Sequence, residues 1–122
     1  MEPGLASFHT MKTLTAGLLA FALSAFSALS AAQSPKTFTG TITDDMCGAD
    51  GHSVMRMGPT DGECARMCVL AHGSQYVLLD GKTVYKLSDQ ATPEKLAGQK
   101  VRVVGTLDAK TQTIEVDSMS AL

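Results

Sequence analysis

Five short stretches of strand periodicity, two helix-forming stretches and two tight turns predict a mainly β fold, a small five-stranded OB-like antiparallel barrel. A Cys-bearing helix is expected as an insertion between strands 1 and 2, and a short helix between strands 3 and 4. The same order of elements also allows an open antiparallel sheet with helices on one face.

The first strand is Thr37-Phe38-Thr39-Gly40-Thr41-Ile42-Thr43, in which Phe38, Gly40 and Ile42 alternate with threonines. Asp44-Asp45 ends it, and a Gly/Asp-rich loop runs through Gly48-Ala49-Asp50-Gly51 to Gly58-Pro59. The aspartates of this stretch fit no EF-hand spacing and read as a solvated polar turn. Thr60-Asp61-Gly62-Glu63 matches a capping box, with Thr60 as N-cap and Glu63 reaching back to its backbone N–H. Helix formers follow, and Gly73 is a natural stop, so a helix of about three turns is expected over residues 61–72.

Residues 75–79 and 82–87 flank Asp80-Gly81, which reads as a type I′ hairpin turn. Thr92-Pro93-Glu94-Lys95-Leu96-Ala97-Gly98 has an N-cap, Pro at the first helical position and a C-terminal Gly, a short helix. Residues 100–107 and 113–119 are the last two strands, joined by a turn over 108–112.

Ahead of these elements lies a leader. Met11-Lys12 begins a signal-peptide pattern, with an apolar run from Leu14 to Leu29 and small residues at Ser30-Ala31-Ala32. Cleavage is expected after Ala32, and Met11 is the expected true start, because residues 1–10 carry Glu2 and no Lys or Arg. The chain therefore divides into an N-terminal extension and signal peptide, 1–32, and one small domain, 33–122. The expected destination is the periplasm or the extracellular space, with no stable membrane insertion after cleavage. A core of this size is marginal by buried area alone, so a disulfide or a metal is a natural supplement.

Composition excludes several classes. The net charge is −2 with Lys and Arg scattered, which argues against nucleic acid. There is no Trp, and aromatics are few, so a stacking platform is not expected. No G-x-S-x-G, H-E-x-x-H or phosphate loop is present.

What chemistry the chain has is concentrated between Met46 and His72. All three cysteines, Cys47, Cys64 and Cys68, fall there with His52, His72 and the methionines Met46, Met55, Met57 and Met67. Thiolate, thioether and imidazole form a soft ligand set suited to copper or zinc. Cys47, His52, Cys64, Cys68 and His72 are the candidate ligands. Cys64 and Cys68 stack on one helix face, and His72 continues that side with a drift of about 40° per four residues.

The rival is a disulfide among the same three cysteines, as is usual in small exported domains. Cys64 with Cys68 is a poor pair inside a regular helix, where Cβ atoms four residues apart are about 6 Å away. Cys47 with either of them is better, closing a loop of about 17 to 21 residues worth roughly 3 kcal/mol. A thiol-redox enzyme is the third class and is not expected: C-x-x-C is absent, although a helix N-terminus favours the Cys64 thiolate. Met55 and Met57 also serve as loop-filling hydrophobes, and His72 as a favourable charge at a helix end.

Two resemblances bear on this cluster. Phe38-Thr39-Gly40-Thr41-Ile42, Met46-Cys47, Cys64-x3-Cys68-Val69, Tyr76-Val77-Leu78, Val84-Tyr85-Lys86-Leu87 and Ala97-Gly98-x2-Val101-x-Val103-x-Gly105-Thr106 together resemble a family of small exported bacterial domains of unknown function. That resemblance implies a secreted single domain in which the three cysteines matter, and no activity. Locally, Cys64-x3-Cys68-x3-His72 is similar to the C-x3-C-x3-H-x2-M loop of the dinuclear copper centre of cytochrome oxidase subunit II. Gln75 stands in the methionine's place, and the upstream histidine is missing.

The sequence thus points to an exported binding domain rather than an enzyme, with a soft-metal site of copper or zinc. The alternative is a disulfide-stapled structural or interaction module. The partner is an unidentified protein or small ligand, and not nucleic acid.

Overall fold

The computed structural model describes residues 33–122, so the leader and cleavage site expected over 1–32 lie outside it. In chain order the elements are β1 (Lys36–Asp44), a 3-10 turn (Gly48–Asp50), α1 (Asp61–His72), β2 (Tyr76–Asp80), β3 (Thr83–Leu87), α2 (Thr92–Leu96), β4 (Lys100–Asp108) and β5 (Thr113–Ala121). The described residues are mainly β, with five strands in one mixed sheet and two helices. No helix among the described residues is long and apolar enough to cross a membrane.

Hydrogen-bonded neighbours run β1-β2-β3-β5-β4 and return to β1. The first strand makes this possible by serving two partners. Its N-terminal part pairs with β4, from Lys36↔Gly105 to Thr41↔Lys100, and its C-terminal part pairs with β2, from Thr41↔Leu79 to Asp44↔Tyr76. Closure at the other side is a short parallel pairing of β3 with β5, Lys86↔Thr113 and Leu87↔Ile114. This corrects the expectation of an antiparallel sheet throughout. β3 and β5 are separated by α2 and β4, and a crossover of that length allows parallel neighbours, as a hairpin does not.

Period-2 alternation puts Ile42, Tyr76, Leu78, Leu87, Val101, Val103 and Ile114 into one core, joined by Ala65 of α1 and by Ala97. Each buried branched aliphatic contributes on the order of 1.5–3 kcal/mol. Phe38 and Tyr85 pack beside it with ring centroids 5.5 Å apart and tilted by 59°.

Helix α1 has the expected bounds, and its cap is made by the residues the capping box named. The Thr60 hydroxyl accepts from the Glu63 N–H at 3.2 Å, and it donates to the Glu63 carboxylate at 2.8 Å. The contact is therefore carboxylate to hydroxyl, where a reach to the Thr60 backbone was expected. Gly73 ends the helix in the left-handed region and returns its N–H to the Cys68 carbonyl. At the other end Gly62 lies against the Ala97 carbonyl, where a Cβ would collide. That close approach, with the Arg66 Nε–H donating to the Glu94 carbonyl at 2.8 Å, fixes α1 on the connection following β3.

Two turn expectations are shifted. The hairpin turn is Gly81-Lys82, not Asp80-Gly81, since Asp80 pairs with Thr83. Only Gly81 has positive φ there, the requirement of a II′ rather than an I′ turn. Helix α2 spans Thr92–Leu96, stopping short of Gly98, and its N-cap is Ala91 rather than Thr92. Asp89 does the capping, its Oδ1 accepting the N–H of Ala91 at 2.9 Å and of Thr92 at 3.1 Å. These bonds hold the Asp89 carboxyl below its usual range, with the Thr92 side chain the largest influence. Gln90 then extends the sheet: its amide accepts from Tyr76 N–H at 2.8 Å and donates to the carbonyls of Tyr76 and Leu87.

Candidate metal centre

The centre begins where β1 ends. Asp44 follows Ile42 by two residues, so it shares the inward face and is completely buried. Its Oδ1 accepts the backbone N–H of Met46 at 3.1 Å and of Cys47 at 3.0 Å, and the Ser74 hydroxyl at 3.4 Å. An aspartate side chain taking the N–H groups just beyond it is a local turn device, and here it turns Cys47 inward. Asp45 also accepts from the Ser74 hydroxyl and from the Gln75 N–H. The Asp50 N–H closes the following 3-10 turn on the Cys47 carbonyl at 3.1 Å.

The loop then brings His52 back under β1. His52 is 8 % exposed, and its Nε2 lies 3.0 Å from the Thr43 hydroxyl. Its Nδ1 lies 3.8 Å from Asp44 Oδ2. Neither Nδ1 nor Oδ2 has a hydrogen-bond partner among the described residues, and both are buried. Farther along, Arg56 pins the loop to the carbonyls of Gly58 and Pro59 and to Asp61 at 3.3 Å.

Helix α1 supplies two more thiols from one face, Cys64 and Cys68, both fully buried. The Cys64 sulfur accepts the Met57 N–H at 3.2 Å and faces the Met55 carbonyl at 3.4 Å. The three cysteines form a small buried cluster of their own with Met57 packed on it. All three are free thiols in this structure.

The donor atoms converge in two overlapping sets. Those of Cys47, His52 and Cys64 all lie within 4.8 Å of one another, as do those of Asp44, Cys47 and Cys68. Cys47 belongs to both sets. Four of the five residues expected from sequence as ligands fall into these two sets, joined through Cys47 with no single set holding all four, and the fifth does not. His72 is exposed at the end of α1 and belongs to neither set. Eight residues beyond Cys64 the helix has risen by about 12 Å and rotated by about 80°, which carries the imidazole off the site.

Asp44 is the residue that sequence reasoning missed. Asp44-Asp45 reads as a strand-ending polar pair, yet continuing the Phe38, Gly40, Ile42 alternation by one step puts Asp44 inside. Thr43, holding the far nitrogen of His52, had no signal of its own.

Electrostatics favour a cation here. Burial pushes the Cys47 thiol up to about 12, with Asp44 the next influence and Cys68 after it. Burial also raises the Cys68 thiol, followed by Asp44 and Cys64. The same low dielectric and gathered negative groups that keep these thiols protonated reverse their effect once a positive ion sits among them.

Residues 69–122 match a family model described as a protein of unknown function, DUF5818. The match covers less than half of the chain. It begins just past Cys68 and takes in the end of α1, strands β2 to β5 and α2, leaving Cys47, His52, Cys64 and Cys68 outside it. No curated protein and no solved structure matches the chain.

Proposed function

We propose that residues 33–122 form an OB-like barrel domain that binds one soft metal ion, copper or zinc, with Cys47, Cys64 and Cys68 as thiolate ligands and His52 completing the set through Nδ1. Binding, not catalysis, is its role. The observation that carries this reading is the pair of buried, unpartnered atoms, Asp44 Oδ2 and His52 Nδ1, beside three buried thiols. A buried polar atom without a partner costs on the order of 1–3 kcal/mol, and two of them side by side call for something between them and the sulfurs. Thr43 on Nε2 is what a ligating histidine needs, since a bond at the far nitrogen fixes the ring's orientation. The Met57 N–H on Cys64 does the same for a thiolate. The raised Cys47 and Cys68 thiols are the opposite of what nucleophilic or exchange chemistry needs, which supports a binding role.

The domain's work belongs outside the cytoplasm, as the leader suggests, with a protein or small-molecule partner that exchanges the ion. The three thiols are free and no pair stands at disulfide distance, so a second reading, a staple from Cys47, requires two of the sulfurs to move closer together. In that reading Cys47 pairs with Cys64 or Cys68, and no metal binds.

Single Cys→Ala variants separate the two. A metal site predicts that Cys47→Ala, Cys64→Ala and Cys68→Ala each lose metal in an equilibrium titration. A staple predicts that two of them lose stability together while the third is nearly silent.

A further inference from the structure

The surface around Cys47 gathers exposed apolar side chains beside a thiol. A pocket of about 120 Å³ opens there, lined by Met46, Cys47, Asp50, Gly51, Val54 and Met55. Met46 is 49 % exposed, Met55 46 % and Val54 84 %, so three large apolar side chains stand in solvent around one opening. Packing does not account for them, and a concentration of exposed apolar groups at a cavity marks a working surface. Of the three cysteines only Cys47 keeps any exposure, 7 % against none for Cys64 and Cys68. The pocket floor is therefore where solvent meets the thiols. The half-buried Met57 packs against the thiol cluster. Thioether residues thus stand both at the mouth and against the thiol cluster.

We propose that this pocket is a loading port for Cu(I), in which the thioethers of Met46 and Met55 receive the ion and pass it to Cys47 by ligand exchange. The proposal rests on reading the buried cluster as a metal site, and it selects the metal. Thioether sulfur is a soft, neutral donor that holds Cu(I) and offers little to Zn(II). It needs no deprotonation before it coordinates, unlike a buried thiol. At the mouth the incoming ion exchanges its outside donors for two thioethers. At the floor it bonds to Cys47 sulfur, the S–H bond breaks, and the proton leaves to solvent. Copper remains Cu(I), so no oxidant or reductant is required. The Asp50 carboxylate at the rim attracts cations of any kind, which leaves discrimination to the sulfurs.

The test compares the protein with its Met46→Leu/Met55→Leu double variant, anaerobically, using Cu(I) and Zn(II) as the probes. Both positions are exposed and the exchange nearly conserves volume, so the fold and the buried ligands are left in place. Uptake and release are followed by stopped flow against a chromophoric chelator, and affinity by equilibrium competition. The expected result is Cu(I) exchange slowed by about tenfold, with Cu(I) affinity and Zn(II) exchange both within about twofold of the parent protein. Unchanged Cu(I) kinetics would overturn the port. Equal slowing of both metals would overturn the thioether role and reduce the pocket to a passive opening. Zn(II) binding without Cu(I) binding would overturn the port while leaving the metal site standing, whereas binding of neither ion would sink both.

Discussion

Asp44 Oδ2 and His52 Nδ1 lie 3.8 Å apart, both buried, and neither has a hydrogen-bond partner among the described residues. Asp44 spends its other oxygen on the backbone of Met46 and Cys47, and His52 spends its other nitrogen on Thr43. One half of each side chain builds the fold, and the other half is left unpartnered in a residue that offers a donor atom within 4.8 Å of cysteine sulfurs. Asp44→Asn keeps an acceptor for the two backbone N–H groups and replaces the free oxygen with an amide. The expected outcome is a folded protein whose metal affinity falls by about 10- to 100-fold, read by chelator competition with circular dichroism as the control.

The two histidines of the described residues should behave differently. His52→Ala removes an inward donor and is expected to lower affinity by at least about tenfold. His72→Ala removes an exposed side chain outside both donor sets and is expected to leave affinity unchanged within about twofold. A competition titration of both variants decides between helical geometry and the linear C-x3-C-x3-H spacing as the guide to the site.

That contrast shows what the sequence made legible. Alternation placed the first strand, the Asp80-Gly81 turn signal placed the next two, and the Thr60 box and Gly73 placed α1 to the residue. The three cysteines and His52 were legible as candidates because they crowd into one short stretch of the chain, which left metal and disulfide as rival uses. His72 was misjudged because four-residue spacing keeps a side only approximately, and the drift accumulates over two steps. The parallel contact of β3 with β5 depends on closure of the whole sheet, which no local pattern encodes. The hairpin turn moved by one residue because pairing of Asp80 with Thr83 sets the register, and a glycine satisfies either turn type. Asp44 was hidden by its neighbour: a double aspartate looks solvated until the strand's alternation is carried one residue further.

Metal binding should release protons. In the metal-free protein the Cys47 thiol is held up at about 12 by burial, Asp44 and Cys68, and the Cys68 thiol is also raised, so both are protonated at neutral pH. Ligation requires thiolates, so each one bound sends a proton to solvent, and affinity rises with pH. Titrations between about pH 6 and 8 should show roughly a tenfold gain in affinity per pH unit for each proton released. An affinity indifferent to pH would show that these thiols do not ligate.

Stability should follow the metal. Ligand at about 100 times its Kd stabilises the folded state by about 2.7 kcal/mol. For a domain of this size that raises Tm by roughly 10 °C or more. Scanning calorimetry with metal, and again after chelator, should show the gain and its loss; coincident transitions would contradict a bound ion.

Asp89 provides a test of the fold that is independent of the centre. Its carboxyl is lowered by the Thr92 side chain and by the N–H groups it accepts at the start of α2. A carboxyl depressed in the folded state contributes stability above its unfolded value, and that contribution is lost as pH falls through the folded value. Asp89→Ala should cost about 1 kcal/mol at pH 7 in urea unfolding, and the difference should shrink below about pH 4.

The central claim is that three thiols and His52 hold an ion, and native mass spectrometry of the protein from an oxidising export compartment, purified without chelator, tests it most directly. The account predicts stoichiometric copper or zinc in the folded protein, with three reduced thiols recovered on denaturation. A mass two hydrogens lighter with no metal would establish a Cys47 disulfide instead and contradict it.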